Sequence, residues 1–113
     1  ADGHYYLTAD VNGAFIDFVV DTGATDIVLS EADARRAGFT TSELDYIGRA
    51  QTANGEVRIA PVRIDRFAVG GIEDVGVRAV VNEGDLDGSL LGMSYLQRFN
   101  SVEISGGRLI LTR

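Results

Sequence analysis

Residues 18–25 read Phe-Val-Val-Asp-Thr-Gly-Ala-Thr, so an apolar segment leads directly into the tripeptide Asp21-Thr22-Gly23. The apolar segment predicts a buried strand that anchors the tripeptide in the core. Glycine permits a tight turn and lets another chain approach the backbone closely. The stretch therefore predicts a carboxylate that is presented by a loop at the end of a buried strand.

The rest of the chain reads mostly as β-structure. Four turn signals, Asn12-Gly13, Asn54-Gly55, Gly70-Gly71 and Gly106-Gly107, separate segments rich in Val, Ile, Phe, Tyr and Thr, which is typical of hairpins. The predicted strands cover residues 4–11, 14–20, 47–53, 56–64, 67–69, 72–81, 102–104 and 109–111. A second apolar motif, Leu90-Leu91-Gly92, lies between the last two hairpins.

Two short helices are predicted. Ser30 can cap the first, Asp33 follows three residues later as in a capping box, and Gly38 ends it. The second covers roughly residues 93–99. Pro61, the one proline, predicts an edge or a bend in its strand. Because no linker or low-complexity tract interrupts the sequence, residues 1–113 are expected to form a single domain.

The composition excludes several functions. The 113 residues are 45% hydrophobic and contain no stretch near the ~20 apolar residues of a membrane span. A net charge of −7, with no lysine, argues against a nucleic-acid partner. The absence of cysteine excludes a thiol nucleophile, a disulfide and a Cys-type zinc site. With a single histidine, an HExxH metal site is impossible as well.

The two motifs together resemble the active-site layout of retropepsin-like aspartic proteases, in particular the bacterial single-domain branch. The resemblance covers nearly the whole chain and implies an all-β, closed, acid-protease-like barrel with one or two short helices. Asp21 would be the catalytic residue. Thr22, Gly23 and Ala24 would form the active-site loop, with Thr22 as a dimer contact.

The resemblance also assigns supporting residues. Leu90, Leu91 and Gly92 would form the hydrophobic-hydrophobic-glycine strand beneath the catalytic loop. Residues 46–59 would form the flap over the substrate, with Ala53, Asn54 and Gly55 at its tip.

A peptidase of this type needs two carboxyl groups, one to take a proton from water and one to donate a proton to the substrate. Two carboxyls about 3 Å apart share a proton, a relation for which the aspartic-protease dyad is itself the established example. One such aspartate per chain implies a homodimer, an isologous assembly. The implied reaction is hydrolysis of a polypeptide without metal or organic cofactor. The bacterial resemblance implies a cell-envelope or periplasmic location, with membrane attachment only through an N-terminal segment absent from this sequence.

Two positions depart from the retroviral pattern. Retroviral members usually carry an acidic residue four positions after the catalytic aspartate and an arginine after the second glycine, and these two residues pair. Here the positions hold Thr25 and Met93. The pair is missing as a whole, so the dimer is expected to lack one support of the retroviral arrangement.

The motifs around Asp21 and at residues 85–88 allow other interpretations. Asp21 alone could be a structural turn residue, and a phosphate loop of the actin or sugar-kinase type would need two large α/β domains. Asp85-Leu86-Asp87-Gly88 resembles a calcium loop, but its glycine is fourth and its twelfth position is Leu96. Asp87 is a conceivable in-chain partner for Asp21. The alternative function is a non-catalytic dimerisation or peptide-binding module with the same fold.

Overall fold

The computed structural model describes residues 5–21, 23–52, 55–84, 88–99, 101–105 and 108–112. The first hairpin joins β1 (Tyr5–Val11) to β2 (Ala14–Val20). Its turn residues Asn12 and Gly13 have φ angles of 53° and 96°, as a two-residue turn with two positive φ values requires. The Asn12 amide donates to the carbonyl of Arg66 at 2.9 Å, which ties this turn to a later strand.

The loop after β2 leads into β3 (Ile27–Ser30) and then α1 (Glu31–Arg36). The Ser30 hydroxyl accepts a hydrogen bond from the Asp33 amide at 3.1 Å, so the predicted cap is present. Gly38 follows the helix with a φ of 94°, the left-handed conformation that commonly ends a helix. A single 3₁₀ turn, Thr41–Glu43, completes this connection.

The remaining elements are mostly strands. Strands β4 (Gly48–Thr52) and β5 (Gly55–Val69) form the second hairpin, and β6 (Ile72–Asn82) returns along β5. They are followed by β7 (Ser89–Leu91), α2 (Met93–Leu96), β8 (Ser101–Ser105) and β9 (Arg108–Thr112). Strands β8 and β9 pair with each other in a separate two-stranded sheet.

Six strands close into a barrel. The main sheet has the order β1-β2-β7-β3-β6-β5-β4, and β5 also pairs with β1 through Val11–Phe67. This last pairing closes the ring and leaves β4 outside it. The barrel interior contains tilted aromatic pairs, Phe18–Phe67 at 5.7 Å and Phe67–Tyr95 at 4.7 Å between ring centroids. The predicted all-β closed barrel is thus confirmed.

The structure differs from the predictions at three local features. The segments expected at 56–64 and 67–69 are one continuous 15-residue strand, β5. Pro61 is tolerated in its middle because β5 pairs with β4 only up to Ile59 and with β1 only from Phe67, so one side of the strand is unpaired at the proline. The second helix ends at Leu96, earlier than expected. Strand β3 was not predicted.

The described helices are short. Within the described ranges, none is long and apolar enough to cross a membrane.

Candidate active site

Asp21 lies directly after β2, where its backbone is fixed from two sides. Its amide donates to the carbonyl of Leu91 at 3.0 Å, and its own carbonyl accepts from the amide of Ala24 at 3.1 Å. The side-chain oxygen Oδ1 accepts a hydrogen bond from the Gly23 amide at 2.9 Å. Oδ2 has no hydrogen-bond partner among the described residues. The half-buried carboxyl is therefore oriented by the loop while one oxygen stays available.

Strand β7 holds this loop because it lies between the two strands that flank it. It pairs in parallel with β2, Val20 opposite Leu91, and antiparallel with β3, Val28 opposite Leu90. The loop is thus bounded by three adjacent strands of one sheet. The family resemblance implied this supporting role for Leu90, Leu91 and Gly92.

The backbone after β7 continues the support. The Met93 amide donates to the carbonyl of Ala24 at 2.9 Å, and the Ser94 amide donates to that of Thr25 at 2.8 Å. A Cβ atom on Gly92 would lie 2.7 Å from the carbonyl carbon of Thr25, 2.8 Å from its oxygen, and against the carbonyl oxygen of Asp26. Glycine at this position is required by the close approach of the two backbones.

A buried hydroxyl joins this support to helix α1. Ser89 is fully buried, and its hydroxyl accepts from the Ser30 amide at 3.1 Å and donates to Asp33 Oδ2 at 2.7 Å. One side chain thus connects the start of β7, the end of β3 and the first turn of α1. This role of Ser89 was not predicted from the sequence. The sequence signal that could have indicated a buried, hydrogen-bonded hydroxyl was a serine directly before two leucines in a segment expected to be buried.

The Asp21 loop faces a cleft of about 460 Å³. Ala50 and Gln51 of β4 and Ile59 of β5 also line this cleft. The β4–β5 hairpin therefore borders the same space as the Asp21 loop. The remaining lining residues belong to the loop and the barrel: Gly23, Ala24, Thr25, Asp26, Val28, Val80, Asn82 and Leu90.

Of the three predicted tip residues, the structure describes only Gly55. Ala53 and Asn54 lie outside the described residues, as does Thr22, and Gly55 has a φ of 110° at the start of β5. Within the described chain, the residues of the 46–59 segment that line the cleft are Ala50, Gln51 and Ile59. These residues were not predicted from the sequence, because the alternation of side chains along a hairpin does not reveal which face meets the cleft.

Two polar contacts fix the base of this hairpin to the barrel. The Tyr46 hydroxyl donates to Glu31 Oε2 at 2.7 Å, and Arg58 pairs with Glu83 at 2.7 Å. Burial, together with the Glu31 carboxylate, raises the pKa of Tyr46 far above its usual range. The Tyr46 phenol therefore stays protonated, and remains a donor to Glu31, at any pH at which an aspartate dyad would work.

Metal and in-chain dyad alternatives find no support within the described residues. No three His, Cys, Asp or Glu side chains among them come together as a metal site would need. Asp85, Leu86 and Asp87 lie outside the described part of the chain. The calcium interpretation and the pairing of Asp87 with Asp21 therefore stay untested.

A closed six-strand barrel with an Asp-Thr-Gly loop supported by a Leu-Leu-Gly strand defines the retropepsin-like class of aspartic proteases. The family model described as gag-polyprotein putative aspartyl protease matches residues 7–98. The chain belongs to this family, which confirms the resemblance on which the site residues were assigned.

Two curated relatives are similar to this chain over nearly its whole length. The chain is 44% identical over 110 residues to the uncharacterized protein RP867 of Rickettsia prowazekii (strain Madrid E), covering 97% of this chain and 47% of that protein. It is 38% identical over 111 residues to an uncharacterized protein in the cobV 5′ region of Sinorhizobium sp, covering 97% of this chain and 48% of that protein. The chain spans about half the length of these relatives.

Solved structures give the same fold. The crystal structure of a retropepsin-like aspartic protease from Rickettsia conorii is 45% identical, with a TM-score of 0.86 over 97% of this chain and 91% of that one. The retroviral protease-like domain of Ddi1 from Leishmania major, at 19% identity, has a TM-score of 0.72 over 96% and 87% of the two chains. EIAV protease complexed with the inhibitor HBY-793, at 20% identity, has a TM-score of 0.72 over 86% of this chain and 88% of that one.

Proposed function

We propose that this chain is an aspartic endopeptidase that acts as a homodimer, with Asp21 of each copy forming one catalytic dyad. The observation that carries the proposal is the placement of Asp21. Its backbone and Oδ1 are held by the loop and β7, its Oδ2 is available, and it faces the cleft beneath the β4–β5 hairpin. The sequence contains a single Asp-Thr-Gly, so in this proposal the second carboxyl comes from Asp21 of another copy.

The chemistry follows from two carboxyl groups that share a proton. The ionised Asp21 takes a proton from a water molecule, which attacks the carbonyl carbon of the scissile peptide bond. The protonated Asp21 of the other copy donates its proton to the carbonyl oxygen. Collapse of the resulting tetrahedral species breaks the C–N bond, with a proton delivered to the leaving amine. No covalent bond to the enzyme forms at any stage.

The cleft suits an extended polypeptide substrate. Apolar side chains of the barrel, Val28, Val80 and Leu90, line the same space as the flap residues Ala50 and Gln51. An extended peptide presents its side chains alternately to two sides, while its main chain offers hydrogen bonds along its length. Closure of the hairpin over such a peptide would exclude bulk water from the dyad. A cell-envelope location stays a prediction from the bacterial resemblance.

The test compares wild type, Asp21→Asn and the control variant Asp65→Asn on a peptide library derived from a bacterial proteome at mildly acidic pH. Asparagine keeps the shape of the side chain but cannot act as an acid or a base, so cleavage should fall by on the order of 10²–10⁴-fold. Asp65 is exposed and lines no part of the cleft, so its variant should cleave like wild type.

Sedimentation of the same samples establishes whether each variant is a dimer. If wild type is a dimer and cleaves no peptide between acidic and neutral pH, the endopeptidase proposal fails. The non-catalytic dimerisation or peptide-binding module then becomes the better explanation. Cleavage that survives in Asp21→Asn would also refute the assignment of the catalytic residue.

A further inference from the structure

A second groove adjoins the cleft. It has a volume of about 240 Å³ and lies between β6 and α2, lined by Arg78 on the strand and by Ser94, Tyr95 and Arg98 near the helix. Asp26 lines both this groove and the cleft, so the two meet at Asp26. A polypeptide that leaves the cleft past Asp26 would therefore enter a groove with two arginines.

Arg78 is an exposed cation that forms no ion pair with any described residue, although the chain has a net charge of −7. Its partner in the β5–β6 register is Arg63, which is also exposed and also lacks an ion pair within the described chain. Like charges directly opposite each other in a sheet are unfavourable, so this pair costs stability in the absence of an anion. A bound carboxylate would remove that repulsion.

Arg98 is held in place on the other side of the groove. Its guanidinium lies 3.6 Å from the mostly buried carboxylate of Asp74 and 5.8 Å from the ring centroid of Tyr95. This arrangement orients the side chain and reduces the conformational freedom that a ligand would otherwise have to remove. Asp74 and Asp26 contribute negative charge to the groove, and Asp74 already pairs with Arg98. Arg78 is therefore the groove cation that is available to pair with a ligand.

We propose that this groove is a distal binding site for acidic side chains of the polypeptide substrate, with Arg78 as a specificity-determining residue. The inference rests on the proposed peptidase function. A carboxylate between Arg78 and Arg98 would accept charge-assisted hydrogen bonds from the guanidinium groups, and the Ser94 hydroxyl offers a further donor. The preferred substrates would carry Asp or Glu outside the residues that directly flank the scissile bond.

The first experiment profiles the cleavage sites of wild type, Arg78→Gln and Arg35→Gln in the same proteome-derived peptide library. Arg35 lies on α1 and lines neither groove, so its variant is a matched loss of one positive charge. Wild type and Arg35→Gln should show enrichment of Asp or Glu at one distal position. Arg78→Gln should lose that enrichment while it continues to cleave.

The second experiment measures binding without turnover, in the Asp21→Asn protein. The probes are a labelled peptide with apolar residues in the middle and glutamates at both ends, and the same peptide with glutamines. The acidic peptide should bind about two- to fivefold more tightly, as expected for exposed ion pairs, and the difference should shrink as salt is raised. Adding Arg78→Gln should abolish the difference. It should not lower the melting temperature, because it removes a like-charge pair.

The two experiments separate the inference from the function on which it rests. Equal binding of both peptides, or a preference that persists in Arg78→Gln, would overturn the inference whether or not peptides are cleaved. Binding that depends on Arg78 in a protein that cleaves nothing would retain the groove as a site for acidic peptides. In that case the endopeptidase proposal alone fails.

Discussion

Replacement of Gly92 by alanine should destabilise the barrel through a steric conflict. The added Cβ would lie 2.7 Å and 2.8 Å from the carbonyl carbon and oxygen of Thr25, whereas optimal contacts between nonbonded carbon atoms are about 3.5–4.0 Å. The backbone of Gly92, with φ −92° and ψ −178°, suits alanine without strain. The cost therefore comes from the contact alone, and the backbones must separate by roughly 0.7 Å or more.

The magnitude follows from the bonds that this separation would strain. Overpacking of this kind costs about 1–3 kcal/mol. The hydrogen bonds from Met93 to Ala24 and from Ser94 to Thr25 cross the same contact, and weakening them adds about 1 kcal/mol each. The reduced entropy of the unfolded chain offsets about 0.4–1 kcal/mol. We expect a net loss of about 2–4 kcal/mol, which for a domain of this size lowers the melting temperature by about 8–16 °C.

The assay is thermal unfolding followed by circular dichroism at one fixed protein concentration, with Gly71→Ala as the matched control. No atom lies within 4 Å of a Cβ built on Gly71, and its φ is not positive. The control should melt at or slightly above the wild-type temperature, because it changes only the unfolded chain. If Gly92→Ala melted within about 2 °C of wild type, a difference of roughly 0.5 kcal/mol, the close-approach argument would be wrong.

Two further predictions concern contacts away from the loop. Tyr46→Phe removes the hydrogen bond to Glu31 at the base of the β4–β5 hairpin, so it should cost about 1 kcal/mol and speed amide hydrogen exchange in β4. Unchanged exchange would show that this contact does not restrain the hairpin. The hydrogen bond from Arg66, with a smaller contribution from the Gly13 amide, holds the pKa of Asp10 below its ordinary 3.8, so NMR titration of Arg66→Gln should show that pKa rising towards 3.8. Because the folded pKa of Asp10 is lowered, its contribution to stability is fully present above the unfolded pKa of about 3.8 and disappears as the pH falls through the folded value. The stability difference between wild type and Arg66→Gln should therefore begin to shrink below a pH of about 3.8 and should keep shrinking as the pH falls further. A difference that does not shrink over this range would contradict the assignment.

The sequence predicted features whose causes are local. The first hairpin follows from Asn12-Gly13, because two adjacent residues that accept positive φ specify a tight turn. The start of α1 follows from the Ser30 hydroxyl, which reaches an amide only three residues away. The expected closed barrel came from the resemblance carried by two short motifs, since strand closure cannot be calculated from hairpin patterns alone.

What the sequence did not reveal depends on contacts between distant segments. Strand β3 is only four residues long and leads directly into a helix cap, so it has no alternation long enough to detect. The contact of Ser89 with Asp33 joins residues 56 positions apart. The single strand through Pro61 was also unexpected, because the register of β4 and β1 along β5 decides whether the missing N–H matters.

The Asp-Thr-Gly tripeptide and the Leu-Leu-Gly strand form one structural unit. The Asp21 amide donates a hydrogen bond to the carbonyl of Leu91. The Thr25 carbonyl accepts a hydrogen bond from the amide of Ser94. Since β7 and α2 satisfy these loop groups, only one carboxyl oxygen of Asp21 is used within the loop, in the bond from Gly23. The other oxygen lacks a partner in the described structure and lies beside an open cleft. In the proposed mechanism this arrangement would be half of a dyad, and a second copy placed across a two-fold axis would supply the other half.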